Sequence, residues 1–196
     1  MPSKTGTGDP PGSAGNFALR IPDGEDRPRL VCDTCGFINY VNPRVVVGTV
    51  CAWRERILMC RRAIEPRTGF WTIPAGYLEE KETVMDGAKR EAREEACADV
   101  DLDSVLSIYT VPRISQVQII YRGTLRSPDV APGPESQEVA LLTWDEIPWD
   151  DIAFPSVHWA LNHFREVREL RSFPPFANPE GETGDRRPGE TRHPGQ

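Results

Sequence analysis

The chain has 196 residues, 38% of them hydrophobic and 27% charged, with a formal net charge of −7. That length sustains one globular domain with a small appendage, and the acidic balance excludes a nucleic-acid binder that works through a basic surface, because phosphate contacts need clustered Lys and Arg. No apolar run approaches the roughly 18 residues of a membrane span, and the opening MPSKTGTGDPPGSAGN has no hydrophobic stretch of the secretory kind.

Both ends read as disordered: residues 1–16 and roughly 174–196 are rich in Pro, Gly, Ser, Thr and charge. The expected organisation is a tail over 1–28, a short hairpin over 29–42, the main domain over 43–172 and a second tail over 173–196. Within the hairpin, Cys32-Asp33-Thr34-Cys35-Gly36 is a CxxCG knuckle. Next, 44–52 (RVVVGTVCA) is a β-branched run suited to a buried strand, and 56–62 (RILMCRR) suits a second, with Trp53–Arg56 short enough for a hairpin. A loop with Pro66 and Gly69 leads into Phe70–Ala75. A helix is predicted from Thr83 to Ala96, then strands near 104–111, 116–125 and 138–144, and a short turn at Asp145. The last helix is predicted from Ser156 to Leu170, with Pro155 before it and Ser156 as N-cap. Val157, Ala160, Leu161, Phe164 and Val167 give it an apolar face. Five cysteines, an odd number, read as reduced thiols or metal ligands of a cytoplasmic protein.

The chemistry concentrates in Pro74–Val100. Glu91 and Glu95 are four apart on the predicted helix, and Glu94 is three from Glu91, so all three project to one side. Like charges at that spacing repel by a few tenths of a kcal/mol each in an isolated helix, and Arg90 offsets part of this. A divalent cation would neutralise the remainder, and carboxylate oxygens are the ligands Mg²⁺ prefers. A solvated acidic helix face is the alternative for an arbitrary Glu cluster. The order of residues is not arbitrary, however. Gly76, Glu82, Arg90, Glu91, Glu94 and Glu95 stand at the six fixed positions of a known motif, an agreement that average residue usage produces about once in a hundred thousand chains.

That motif is the Nudix box, and the segment resembles it with departures: Cys97 stands where the box has Gly, and Ala92 and Ala98 fill apolar slots. The resemblance implies an α/β fold, an α/β/α sandwich with a mixed sheet, preceded by a small ribbon-like hairpin. It also implies a hydrolase that cleaves a nucleoside diphosphate linked to another moiety. Carried over residue by residue, Glu91 and Glu95 are the main Mg²⁺ ligands, with Mn²⁺ as a substitute. Glu94 supports them, the backbone carbonyl near Ala75–Gly76 adds a ligand, Arg90 orients a carboxylate, and Glu82 has a structural role. A further base is expected from the loop at 131–139, Glu135 first and Glu138 second, with a solvated hairpin turn as the alternative.

The flanking segments are similar to the Nudix branch of FAD and ADP-ribose pyrophosphatases, which implies FAD or ADP-ribose as substrate, NADH as a third, and AMP plus a phosphorylated remainder as products. Arg62, Trp71 and Arg113 are the substrate-binding candidates, each with a structural alternative: Trp71 as core, the arginines as surface residues. Ser115 stands in PRISQ where relatives carry PRIGQ, which leaves contact there open. Relatives in this branch carry a four-Cys zinc ribbon. Here residues 1–29 contain neither Cys nor His, and two thiolates do not close a tetrahedral zinc site. The expected state is a degenerate half-ribbon without zinc, with zinc shared across a dimer or a redox pair as the other readings. Cys51 and Cys60 read as buried apolar residues. Relatives often form homodimers. A non-catalytic sensor of an ADP-ribose-like ligand is the alternative function. Retention of all four box glutamates (Glu82, Glu91, Glu94, Glu95) favours catalysis.

Overall fold

The computed structural model describes residues 16–184, which fall into two compact units that divide at Asn42/Pro43. The first unit is a three-stranded antiparallel sheet of β1 (Phe17–Arg20), β2 (Arg29–Cys32) and β3 (Ile38–Asn39), in that order. The tail expected up to residue 28 therefore gives way to a strand at Phe17, whose register runs Phe17 opposite Cys32 to Arg20 opposite Arg29. Alternation in Phe-Ala-Leu-Arg is too short to stand out from a polar, Gly-rich leader, and pairing with β2 supplies what local sequence does not.

The second unit is built on a mixed sheet. Its strands are β4 (Arg44–Trp53), β5 (Arg56–Arg62), β6 (Trp71–Thr72), β7 (Ala75–Tyr77), β8 (Val100–Val111), β9 (Gln116–Leu125) and β10 (Ser136–Thr143). The main order is β10-β5-β4-β9-β8, with β6 on β5 and β7 on β4. Only β4 and β9 run parallel. Helix α1 (Val84–Ala96) lies between β7 and β8, and α2 (Pro155–Val167) follows β10. Strand alternation feeds two faces. Val50, Ile57 and Met59 pack in one cluster with Leu161 and Phe164 of α2, while Cys51, Leu58 and Cys60 pack in another with Ala92 and Ala96 of α1. The sheet is thus sandwiched between helices, which is why RVVVGTVCA reads as a continuous apolar run. Each fully buried Leu or Val contributes about 2 kcal/mol.

Three boundaries differ from expectation. Strand β8 starts at Val100, not near 104. Asp101 and Asp103 are poor strand formers, but Arg126 and Arg122 of β9 and its end pair with them, Arg122 Nε at 3.0 Å from Asp103 Oδ1. Helix α2 begins at Pro155 with Phe154 as N-cap, so Ser156 lies inside the helix; Pro at the first helical position needs no hydrogen-bonding N–H there.

The third difference is the tail expected from residue 173. Phe176 forms a parallel bridge with Ser107 of β8, the Ile108 N–H donating to Phe176 O at 2.9 Å. The Asn178 amide clamps Thr110 from both sides, accepting from its N–H at 2.9 Å and donating to its carbonyl at 2.8 Å. His163 of α2 stacks on Phe176 with centroids 4.1 Å apart and bonds the Tyr109 hydroxyl at 2.6 Å. Pro-Gly-rich composition hid one aromatic anchor, Phe176, and one amide, Asn178. Residues 1–15 and 185–196 of the expected tails lie outside the described residues.

Candidate active site

Helix α1 starts where the Thr83 hydroxyl accepts from the Asp86 N–H at 3.1 Å. Ala88, Ala92 and Ala96, spaced by four, are fully buried. Their small side chains let the helix axis approach the sheet closely, so Ala92 suits its apolar slot, and Ala98 is buried beside them. The neighbouring stripe then carries Glu91 and Glu95, also buried.

Arg90 organises this face. Its Nε and one terminal nitrogen donate to the Glu82 carboxylate at 3.1 and 2.7 Å, and that nitrogen also donates to Tyr77 O at 2.9 Å. The other terminal nitrogen donates to Glu91 Oε1 at 2.7 Å and Glu94 Oε2 at 2.9 Å. One guanidinium therefore ties the loop before α1, strand β7 and two carboxylates of α1 together. Arg90 and the Glu79 N–H hold the Glu82 carboxyl at about 2, which suits a permanently charged structural anchor.

Glu95 Oε2 accepts from the Ala75 N–H at 3.1 Å. Burial pushes the Glu95 carboxyl up to about 8, with repulsion from Glu91 and Glu135 adding to it and Arg62 opposing. Glu91 is also raised, by burial first, against the pull of Arg90. Gly76 lies against the Glu91 carboxylate, and any Cβ at residue 76 would collide with it.

Glu135 is brought near Glu91 and Glu95 by the loop before β10. The C-terminal turn of α1 leaves main-chain carbonyls without helical partners. The loop before β10 takes them up: Ala131 N–H donates to Ala96 O, and Gly133 N–H to Glu95 O, both at 3.0 Å. Gly133 sits so close to the Glu94 carbonyl that a Cβ would overlap it. A Gly133→Ala variant is therefore expected to lose about 2 kcal/mol in urea denaturation and to lower kcat as Glu135 is displaced. Unchanged stability would show that the loop adjusts freely.

The exit of α1 answers the question raised by Cys97. This residue adopts the left-handed conformation (φ 49°, ψ 28°), and its N–H donates to Arg93 O at 3.0 Å. The geometry of the box glycine is kept with a side chain that disfavours it. Replacing Cys97 with Gly is expected to raise the unfolding free energy by about 0.5–1 kcal/mol in chemical denaturation, with activity unchanged.

The remaining candidates divide. Arg62 lies near Glu95, donates from Nε to Pro66 O at 2.9 Å, and rests over the Phe154 ring at 5.3 Å. Trp71 packs against the core cluster on the α2 side, the structural alternative considered for it. Arg113 is exposed on the 3-10 turn Pro112–Ile114. Glu138 is exposed on β10 and pairs with Arg61 at 3.6 Å. Sequence reasoning missed Gly133, Tyr77 and Phe154. A glycine between two prolines, Pro132 and Pro134, was the one local signal. The other two reach the site only through tertiary contacts.

Among the described residues, no three His, Cys, Asp or Glu side chains stand together at metal-binding spacing. Glu91 and Glu95 lie buried at Ala75–Gly76, and Glu94, which shares one Arg90 nitrogen with Glu91, lies on the exposed side. The donor set nonetheless fits a hard divalent cation. Two buried carboxylates one helical turn apart repel each other and Glu135, and a cation that favours oxygen ligands would relieve that repulsion. Cys51 and Cys60, by contrast, are buried thiols pushed well above their ordinary value, as expected of inert core residues.

Comparison with known proteins agrees with this architecture. Residues 42–171 match the NUDIX domain model, and residues 14–41 match a zinc-ribbon model described as Nudix N-terminal. The crystal structure of a NUDIX hydrolase from Nitrosomonas europaea superposes with a TM-score of 0.80 at 42% identity, covering 85% of this chain and 95% of that one. A protein named ADP-ribose pyrophosphatase from Methanocaldococcus jannaschii is 25% identical over 113 residues, 56% of this chain and 67% of its own length. A MutT-like protein from Streptomyces ambofaciens is 32% identical over 102 residues, 52% of this chain and 64% of its own. The chain thus spans about two thirds of the length of these last two relatives. A domain-long family match, a close structural relative, and a helix presenting the box glutamates beside Gly76 together place the chain in the NUDIX domain family, as a Nudix hydrolase.

Proposed function

We propose that the chain hydrolyses the diphosphate bridge of a nucleoside diphosphate joined to another moiety, with ADP-ribose as leading substrate, FAD second and NADH third, using Mg²⁺ or Mn²⁺. The observation that carries this reading is the buried Glu91–Glu95 pair beside the Ala75–Gly76 backbone, with Glu135 near enough to repel both carboxylates. The name of the archaeal relative supports ADP-ribose.

A bound Mg²⁺ supplies charge neutralisation at the diphosphate and acidifies coordinated water. The residues of the chain do the rest. Glu91 and Glu95 hold the cation, and Arg90 fixes the Glu91 and Glu94 carboxylates in place. Arg62 is suited to a phosphate oxygen through its planar fork. The Glu135 carboxylate accepts a proton from the attacking water as the water oxygen bonds to one phosphorus. The bridging P–O bond breaks, and the departing phosphate oxygen keeps the electron pair. With ADP-ribose the products are AMP and ribose 5-phosphate.

The test is a substrate panel of ADP-ribose, FAD, NADH, diadenosine polyphosphates and nucleoside triphosphates, assayed with Mg²⁺, Mn²⁺ or EDTA. Turnover is expected chiefly on ADP-ribose and FAD and only with metal. A preference for triphosphates would overturn the substrate assignment. ADP-ribose binding without turnover would instead favour the sensor reading.

A further inference from the structure

The first unit matches a zinc-ribbon model over residues 14–41, yet its donors do not compose a zinc centre. A structural zinc site takes four ligands. Cys32 and Cys35 are the only cysteines before Cys51, and the first histidine of the chain is His158. The carboxylates nearby are engaged elsewhere. Asp33 is ion-paired with Arg20 across β1 and β2.

Glu25 is placed where a cross-link is needed. It lies in the loop between β1 and β2, a turn closed by its own N–H donating to Pro22 O at 3.0 Å. Its carboxylate accepts from Arg29 Nε at 2.8 Å and from the Tyr40 hydroxyl at 2.5 Å. Arg29 belongs to β2, and Tyr40 follows β3 directly. The Arg29 guanidinium also rests over the Tyr40 ring at 5.3 Å. One carboxylate, one guanidinium and one phenol thus add a side-chain link between the β1–β2 loop, β2 and the residue after β3, on top of the backbone pairing of the sheet. Arg29 and Tyr40 hold the Glu25 carboxyl below its ordinary value, as expected for a clamp made in its charged form.

The knuckle is closed by its own backbone. Gly36 N–H donates to Cys32 O at 2.9 Å, and Cys32 N–H to Phe37 O at 2.8 Å. The turn keeps its shape through main-chain bonds, with Gly36 in the left-handed region (φ 73°).

We infer that the ribbon of this chain is a metal-independent fold, cross-linked by the Glu25–Arg29–Tyr40 clamp and by its backbone pairing rather than by zinc, and that Cys32 and Cys35 are a free dithiol. The inference concerns the first unit alone and stands apart from the substrate reading.

The test uses the full-length protein. Zinc content is measured by elemental analysis after incubation with zinc and dialysis. Amide exchange over residues 17–39 is followed by mass spectrometry with and without EDTA, in the parent, in Cys32→Ser/Cys35→Ser and in Glu25→Gln/Tyr40→Phe. The expected result is zinc far below one per chain and exchange unaffected by EDTA or by the serine pair. The Glu25→Gln/Tyr40→Phe protein exchanges about tenfold faster over 17–39, with residues 44–62 unchanged as an internal control. One tightly held zinc per chain, or one per two chains in a dimer, would overturn the inference. Loss of protection in the serine variant while the clamp variant stays protected would overturn it equally.

Discussion

A Glu95→Gln protein is expected to fold as the parent does and to lose kcat on ADP-ribose by about 10³-fold. The two halves of that expectation have different causes. Glu95 is 6% exposed, and its burial works against the ionised form. Gln is nearly isosteric, and its side-chain oxygen still accepts from the Ala75 N–H. The fold therefore loses a buried carboxyl whose ionised form burial disfavours and keeps its hydrogen bond, so the unfolding free energy in urea at pH 7 should match or exceed that of the parent. Catalysis loses a charged oxygen where a divalent cation and a diphosphate need one, and a neutral amide is a far weaker ligand for Mg²⁺. Steady-state kinetics over a range of Mg²⁺ concentrations checks this. Parental kcat in the variant would remove Glu95 from the metal site.

Arg90→Ala should act in the opposite way, on the fold first. Its side chain is 25% exposed and serves Glu82, Glu91, Glu94 and the Tyr77 carbonyl at once. Truncation leaves Glu91, only 8% exposed, with an uncompensated negative charge. Breaking such a pair from one side costs about 3 kcal/mol, read as a lower urea midpoint. Turnover should fall by about 10²-fold because the ligand carboxylates lose the group that aims them. Lys at position 90 restores charge but not the planar fork that reaches five acceptors, so Arg90→Lys should recover only part of both losses. Full recovery by Lys would mean that charge alone matters and that the bond geometry does not.

The site was legible in the sequence to the extent that its parts share one helix. Gly76, Glu82, Arg90, Glu91, Glu94 and Glu95 keep fixed spacings, and helical geometry alone puts Glu91 and Glu95 on one stripe. Arg90 four residues before Glu94 already pointed to that pair; what the spacing did not disclose was the same guanidinium nitrogen taking Glu91 as well. That choice depends on where the Tyr77 carbonyl and Glu82 pin the guanidinium. The strands were legible where both faces are buried, as in β4 and β5. They were less so where aspartates interrupt, as at Asp101 and Asp103, whose partners sit on another strand more than eighteen residues later. Glu135 could be named only because the resemblance implies a base from the 131–139 loop, whereas what ties that loop to α1, main-chain capping by Ala131 and Gly133, leaves no side-chain signature.

The stretch that follows the matched family domain has a consequence for that domain's solubility. Strand β8 is the last in the sheet order, and a terminal strand offers unpaired amides and carbonyls to any neighbouring molecule. Phe176 and Asn178 occupy those groups at Leu106, Ile108 and Thr110. A chain ended at residue 171 would carry all the chemistry of the box, yet present an open template for intermolecular strand addition. For this protein, the practical end of a well-behaved catalytic unit lies beyond Asn178.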